Sequence, residues 1–394
     1  MAVSTKGAIT LHQLFRHPYV MRVISRIAPA ASPLSNFYRM GLNNSGTETI
    51  PAGIRTFSWD IFDHTRQLAT VRPPKTGPKR GRPQKTGTNV GHLIRFHDSL
   101  PIAWEDVVNT RPHGARIGTL DARGQSKITM QVKHYTEKYM NTREWAVSRM
   151  FRGGFSIKFQ GEDHYLAELG AGDIDIDFNT PAAHLDQLAV GAGDADIIDV
   201  PWDDPDADIV SQYFALNRAA ERITGYPIKH TWINSTTLGL LFKNNVLQAA
   251  GGSAFRVFES AEGTTVKTTE GNSRPSGMEV RFRAMPWHTF HVTDNVLQKG
   301  GAVADSKADG DVDLIVPDNT AIFTPDPGDW AGFAQGQEPV TKNLAGGMQI
   351  VSGFSTWQMP MLDPSGLELR FLDNFFPVPY NPEAWFYGTV VFTP

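Results

Sequence analysis

The sequence contains no cysteine among its 394 residues. This absence excludes disulfide bonds, thiolate metal sites and a cysteine nucleophile. No apolar run approaches the roughly 18 residues that a membrane span needs. The first residues, Met1 to Gly7, lack the basic stretch and apolar run of a signal peptide. We therefore expect an intracellularly made protein that folds without disulfide bonds and without a membrane part.

The charge and the known catalytic signatures exclude further classes. With 37 basic and 41 acidic residues the net charge is −4, which argues against a generally basic nucleic-acid binder. The patterns HExxH, GxSxG, GxGxxG and GxxxxGK[ST] do not occur. Pairs of histidines at 92/97 and 288/291 are spaced poorly for one metal on a strand. We predict no enzyme, no cofactor and no metal site.

Glycine and proline are abundant instead, with 36 and 26 residues, which predicts much loop and extended chain. Alternating residues around Phe57–Ile61 and Val90–Phe96 predict two strands. Between them, residues 72–87 hold four prolines and three glycines, which exclude a helix or a central strand. The whole segment 54–107 therefore reads as a hairpin-like projection. Its tip carries six basic residues and no acid: Arg72, Lys75, Lys79, Arg80, Arg82 and Lys85.

Part of this tip, Pro78-Lys-Arg-Gly-Arg-Pro83, is similar to an AT-hook. In such a peptide a glycine between arginines lets extended chain enter the narrow minor groove of DNA. One alternative function is therefore a DNA-binding accessory protein that uses residues 78–83. The other interpretation is a basic loop that pairs with an acidic surface of another subunit or is solvated.

The strongest predicted helix covers residues 125–151. Apolar residues recur at helical spacing from Ile128 to Met150, whereas Lys133, Lys138 and Glu144 fall largely off that stripe. Gly153-Gly154 is expected to end the helix, and a short hairpin to follow it.

An acidic tract covers residues 173–208, with eleven aspartates and no lysine or arginine. It leads into a predicted helix in which Asp204 is the cap and Pro205 the first helical residue. A second helix is expected over Ser235–Gln248, with Leu238, Leu241 and Phe242 buried. Strand patterns predominate after Glu279. Central helices flanked by strands predict an α+β fold with mixed or antiparallel sheets.

The order of these parts resembles the HK97-fold major capsid proteins of tailed phages, and more narrowly the lambda-type major capsid protein E family. The motifs that carry this resemblance are Phe62-Asp63, Thr65-Arg-Gln-Leu-Ala69, Ile94 to Asp106 with Leu100-Pro101, Arg143-Glu144 with Met150 to Gly154, Trp202-Asp-Asp-Pro-Asp-Ala-Asp208, and Asp373-Asn-Phe-Phe-Pro-Val-Pro-Tyr-Asn-Pro382. They cover the chain from about Ile54 to its end. No family role is transferred to the basic tip.

The resemblance implies a division of the chain. Its expected parts are an N-terminal arm (1–53), an extended β-hairpin loop or E-loop (54–107), a peripheral domain (108–205) containing the spine helix 125–151, an axial domain (206–351), and a return to the peripheral domain (352–394).

The resemblance also implies the function: a major capsid protein that self-assembles, as hexamers and pentamers, into the icosahedral shell around phage double-stranded DNA. The implied partners are further copies of itself, a separate scaffold protein, a portal, a decoration protein and non-specifically held DNA on the inner surface, with no membrane. The chain would be made in the host cytoplasm and reside in the virion shell. Because a basic tip has an acidic complement in residues 173–208, the candidate intersubunit residues are Arg72, Lys75, Lys79, Arg80, Arg82, Lys85, Asp194, Asp196, Asp203 and Asp206.

Overall fold

The computed structural model describes residues 32–42, 44–62, 86–103, 122–160, 163–168, 174–185, 197–251, 278–298, 312–341, 348–361 and 366–391. The helices in these ranges are α1 (Pro33–Phe37), α2 (Ala122–Phe151), α3 (Ile209–Ile223), α4 (Ser235–Lys243) and α5 (Asn245–Gly251). A single 3₁₀ turn is described at Ala182–His184.

The strands are β1 (Glu48–Ile50), β2 (Thr56–Phe62), β3 (Thr86–His92), β4 (Ile94–Ala103), β5 (Gly154–Gln160), β6 (Asp163–Glu168), β7 (Ile174–Asp177), β8 (His230–Ile233), β9 (Met278–Val280), β10 (Thr289–Val292), β11 (Val296–Gln298), β12 (Val312–Leu314), β13 (Thr320–Thr324), β14 (Ala331–Thr341), β15 (Met348–Ser352), β16 (Ser355–Met361), β17 (Gly366–Pro379) and β18 (Phe386–Thr389). This mixture confirms the predicted α+β class.

The chain divides into two compact units. The first comprises residues 1–57, 91–144 and 333–377, and the second comprises residues 58–90, 145–332 and 378–394. Both units are therefore built from segments that are far apart in sequence. The domain boundaries implied by the resemblance stay a prediction.

The first unit is organised around β17, which pairs with three other strands. The sheet order is β1-β14-β17-β16, with β15 on β14 and β4 on β17. Strand β4 runs antiparallel to β17 from Ile94 opposite Phe375 to Ala103 opposite Gly366. The short β1 pairs in parallel with β14, with Glu48 opposite Ala334. The returning strand of the predicted loop is thus a full member of this sheet.

The second unit contains a five-stranded sheet of order β18-β13-β8-β10-β9. Helix α3 packs on it through Tyr213, whose ring contacts Phe290 and Phe323 at centroid distances of 5.6 and 5.7 Å. Strand β5 pairs antiparallel with β6 and β7, which confirms the hairpin expected after the spine helix. Along β7, Asp175 and Asp177 are exposed and Ile176 is buried, as the alternation of side chains in a strand requires.

Helix α3 begins later than predicted. Its cap is Asp208, whose carboxylate accepts a hydrogen bond from the Ser211 amide at 3.1 Å. Asp204 instead accepts the amide of Asp206 in a tight turn. The prediction of Asp204 as cap was wrong because several aspartates in a row can each cap, and the packing of the preceding loop selects among them.

The predicted helix over Ser235–Gln248 is two helices, broken at Asn244 with an extended ψ of 122°. The Asn244 side chain donates to the Ala207 carbonyl at 2.8 Å and accepts from the Leu247 amide at 2.9 Å. Phe242, expected to be buried, is 37% exposed, whereas Leu238 and Leu241 are buried. The break depends on the tertiary hydrogen bond between Asn244 and Ala207, which the spacing of apolar residues in the sequence does not indicate.

Candidate functional site

Arg143, on α2, is the centre of a buried ionic junction in the first unit. Its guanidinium group donates to both carboxylate oxygens of Asp373 on β17, with N–O distances of 2.7 and 2.6 Å. The same group donates to the backbone carbonyls of Gly41 and Met40, at 2.8 and 3.3 Å. Because both charged side chains are at most 2% exposed, one ion pair joins the spine helix, the sheet and the segment after α1.

Glu144, the next residue of α2, holds the N-terminal end of α1. Its two carboxylate oxygens accept the backbone amides of Leu34 and Ser35 at 2.8 and 2.7 Å. Burial raises the pKa of Glu144 to about 7, against the lowering effect of these amide hydrogen bonds. The sequence pattern placed Glu144 off the apolar stripe, but the structure buries it fully because α1 covers it.

Tyr139 seats β4 on α2 and β17. Its hydroxyl donates to the Phe371 carbonyl and accepts the Asp98 amide, both at 3.0 Å. Burial raises the pKa of Tyr139 well above its ordinary value, so the group acts as a neutral hydrogen-bonding bridge. Nearby, Lys138 forms a more exposed ion pair with Asp98 at 3.0 Å.

The base of the predicted loop is formed by β2 and β3. In the second unit, the buried Trp59 donates its indole N–H to the Pro379 carbonyl at 2.9 Å. Across the hairpin, Thr88 donates to Asp60 at 3.1 Å. Val90 on β3 is 57% exposed, so the hairpin retains apolar surface that its own unit does not cover.

Two of the candidate intersubunit residues lie within the described part of the chain. Asp203 and Asp206 are exposed in the loop before α3, and Asp206 accepts a hydrogen bond from the Asn245 side chain at 2.8 Å. The other candidates, which include the AT-hook-like segment 78–83, lie outside the described residues: Arg72, Lys75, Lys79, Arg80, Arg82, Lys85, Asp194 and Asp196.

The described histidines take part in separate contacts. The Nε2 atom of His288 lies 2.7 Å from the Thr231 hydroxyl, whereas the Nε2 atom of His291 lies 2.9 Å from Nδ1 of His230. Asp326 in turn lies 2.9 Å from the other ring nitrogen of His230. Across the part of the chain that the structure describes, no group of three or more metal-ligating side chains is found. Nor is any helix there long and apolar enough to cross a membrane.

The residues that hold the arm were not selected as site residues from the sequence. Arg143 and Asp373 are 230 positions apart, and a charged side chain is by default expected in solvent. The available signal was that Asp373-Asn374 interrupts an apolar run and that Arg143-Glu144 directly precedes the apolar residues 145–147. Together these contacts fix the N-terminal segment and β4 on α2 and β17 of the first unit by buried polar groups.

A comparison of the sequence with models of protein families identifies the class of protein. The model of the family described as phage major capsid protein E matches residues 25–390. The chain belongs to this family, and it is a shell-forming capsid protein of the virion. The family is a structural one and not a class of enzymes. The alternative of a DNA-binding accessory protein receives no support from it.

Solved phage proteins resemble the chain over most of its length. A putative capsid protein from a prophage of E. coli CFT073 is 11% identical, covers 95% of this chain and 98% of its own, and has a TM-score of 0.48. A phage-related protein from Bordetella bronchiseptica RB50 is 10% identical, with coverages of 96% and 97% and a TM-score of 0.45.

The capsid of Ralstonia phage GP4 is 14% identical, with coverages of 89% and 87% and a TM-score of 0.44. No curated protein matches the sequence.

Proposed function

We propose that this capsid protein assembles as hexamers and pentamers of an icosahedral shell that encloses phage double-stranded DNA, and that it does so without any catalytic step. The observation that carries the proposal is the anchoring of residues 32–50. Their contacts with α2 and β14 are made largely through backbone groups, at Leu34, Ser35, Met40 and Gly41 and along β1. An arm held in this way is ordered by the body of its subunit.

The finer partition of the chain belongs to the same proposal. Residues 1–53 act as the arm and 54–107 as the extended loop, each reaching neighbouring subunits from a strand, β1 or β4, that pairs within its own subunit. Residues 108–205 and 352–394 form the peripheral domain, and 206–351 form the axial domain around each capsomer centre. The exposed Val90 on the loop base supports this reading, because apolar surface left uncovered in one subunit is available for burial against another.

Further partners are proposed from the family role. A separate scaffold protein directs the curvature of the shell, a portal occupies one vertex, and a decoration protein binds the outer lattice. The inner surface contacts DNA without sequence preference, and the subunit is made in the host cytoplasm before assembly. The membrane has no part in this scheme.

The basic tip at residues 72–87 supplies one specific contact in this proposal. Its six basic side chains complement the acidic tract 173–208 of a neighbour. Reversing Arg80 and Arg82 to glutamate should impair assembly, because each reversal replaces an attraction with a like-charge repulsion. Unchanged shells at moderate salt would contradict this contact.

The proposal as a whole is tested by expressing the full chain with and without the scaffold protein of its phage. Sedimentation velocity and negative-stain microscopy should show capsomers or closed shells. If the folded protein stays monomeric even with scaffold supplied, the proposed function is wrong.

A further inference from the structure

Two large aromatic side chains lie exposed and in contact with each other in the second unit. Phe214 on α3 is 54% exposed, and Trp287, in the turn before β10, is 42% exposed. Their ring centroids are 5.1 Å apart with an interplanar angle of 32°. The core side of α3 is already complete without Phe214, since the adjacent Tyr213 packs inward on the sheet. Exposed aromatic pairs of this kind are typical of the energetic centres of protein interfaces.

The surroundings of this pair are basic. Arg218 and Arg222 follow Phe214 along α3 at intervals of four residues, so they share its exposed face. Arg283 is exposed in the segment that leads to Trp287. Within the described part of the chain none of these three arginines forms an ion pair, and the exposed Glu221 is the acid that lies between them in sequence. We call Phe214, Arg218, Arg222, Arg283 and Trp287 the aromatic-basic surface.

The opposite end of α3 has the opposite charge. The loop that leads into the helix exposes three aspartates, which we call the acidic loop: Asp203, Asp204 and Asp206. The loop is held in place by the α4–α5 junction, where the Asn245 amide donates to the Pro205 carbonyl at 2.7 Å. The acidic loop therefore has a fixed backbone conformation, and its exposed aspartates form a defined surface.

The aromatic-basic surface and the acidic loop of one subunit are too far apart to form ion pairs with each other. Arg218 and Arg222 follow the cap residue Asp208 by ten and fourteen residues, so they lie about 15 and 21 Å along α3 from the start of the helix at 1.5 Å per residue. Both separations exceed the screening length at physiological salt, about 8 Å. Two different, complementary surfaces on one chain produce a head-to-tail contact between copies, and such a contact closes into a ring when its rotation permits.

We propose that the aromatic-basic surface of one subunit docks on the acidic loop of the next copy of this chain around a capsomer ring. This inference rests on the proposed function, because it specifies the residues of one subunit contact within that assembly. It assigns Asp203 and Asp206 to this contact, so the aspartates at residues 173–199 of the tract are the complement of the basic tip. Phe214 and Trp287 would be buried at its centre, and the arginine–aspartate pairs would set orientation and association rate at its rim.

A charge-swap experiment tests the contact. The variant Arg218→Glu/Arg222→Glu and the variant Asp203→Lys/Asp206→Lys should each lower the assembled fraction at least tenfold, measured by sedimentation velocity with scaffold present. A chain with all four reversals restores opposite charges between the substituted positions of the two surfaces, and it should recover most of the assembled fraction. Recovery also demonstrates that the substitutions leave the fold intact.

Mixing the two double variants gives a sharper result. Each subunit then finds a matching partner only in the other variant, so rings must alternate. Six-membered rings can alternate and five-membered rings cannot. The equimolar mixture should therefore form hexamers while pentamers, and hence closed shells, stay absent in negative-stain images.

The aromatic centre is tested separately with Phe214→Ser/Trp287→Ser, which should also reduce assembly at least tenfold. The matched control is Phe242→Ser, since Phe242 is exposed to 37% on α4 and is no part of the proposed contact. Wild-type assembly by any of these charge or aromatic variants, or no recovery in the fourfold variant, would overturn this inference and leave the proposed function intact. Failure of the wild-type chain to assemble would instead overturn the proposed function.

Discussion

The buried junction at Arg143 offers the most direct test of how the frame holds the arm. We consider Arg143→Met, which keeps an unbranched apolar stem of similar length but removes the guanidinium group. The stem and its group lie against aromatic rings, with the guanidinium carbon 4.7 Å from the ring centroid of Phe375. Methionine preserves much of this packing, so the change in stability reports mainly the loss of charge and hydrogen bonds.

The expected magnitude follows from what is left behind. Asp373 is 1% exposed and loses two charge-assisted hydrogen bonds, of 2.7 and 2.6 Å. Removing one partner of a buried ion pair costs about 3–5 kcal/mol. The carbonyls of Met40 and Gly41 also lose their donor, which adds about 1 kcal/mol or more if water cannot reach them. The loss approaches the whole stability of a typical domain, about 5–15 kcal/mol.

The assay is urea unfolding of the unassembled full chain, followed by circular dichroism. The matched control is Lys138→Met on the same helix, because the Lys138–Asp98 pair is 57% and 31% exposed and should cost less than about 1 kcal/mol. The double variant Arg143→Met/Asp373→Asn removes both charges and should be more stable than Arg143→Met alone. If Arg143→Met costs no more than the control, the junction does not hold the frame and the reasoning is refuted.

Three further predictions concern single sites. Because burial raises the pKa of Glu144 from 4.5 to about 7, the folded state binds its proton more tightly, so the contribution of Glu144 to stability is greatest below about pH 4.5 and falls by at most about 3 kcal/mol as the pH rises through 7. Urea unfolding across that range should show this slope, and Glu144→Gln should flatten it; an equal slope in both proteins would contradict the assignment. Asp208→Ala removes the α3 cap that accepts the Ser211 amide, so it should lower the free energy of unfolding by about 0.5–2 kcal/mol in a thermal unfolding experiment. Asp208→Asn keeps a side-chain oxygen that can accept this amide, so it should keep most of the wild-type stability. Gly153→Ala should cost about 1–3 kcal/mol, since its φ is +93° and a Cβ would lie 2.7 Å from Leu185 Cδ1; a neutral result would show that the turn relaxes freely.

Local patterns predicted several elements well. The spine helix expected over residues 125–151 is α2 at Ala122–Phe151, and its end at Gly153 follows from a left-handed residue that glycine adopts without strain. The helix predicted to follow the acidic tract is α3, although it begins at Ile209 and not at Pro205. Strands β14 to β16 were not predicted. Their sequences contain Gly, Ala, Gln and Pro, and pairing within the large sheet places them in strands despite weak local preference.

What the sequence by itself determined is the class of the chain: an α+β protein without disulfides, with a long helix, and with motifs whose order matches a capsid family. Those features depend on patterns of neighbouring residues, on composition and on the order of the motifs, all of which can be determined directly from the sequence. Only the tertiary structure decided that Arg143, Glu144 and Asp373 are buried together. A charge can be buried only where its partners converge, and those partners come from the arm and from a strand 230 residues away.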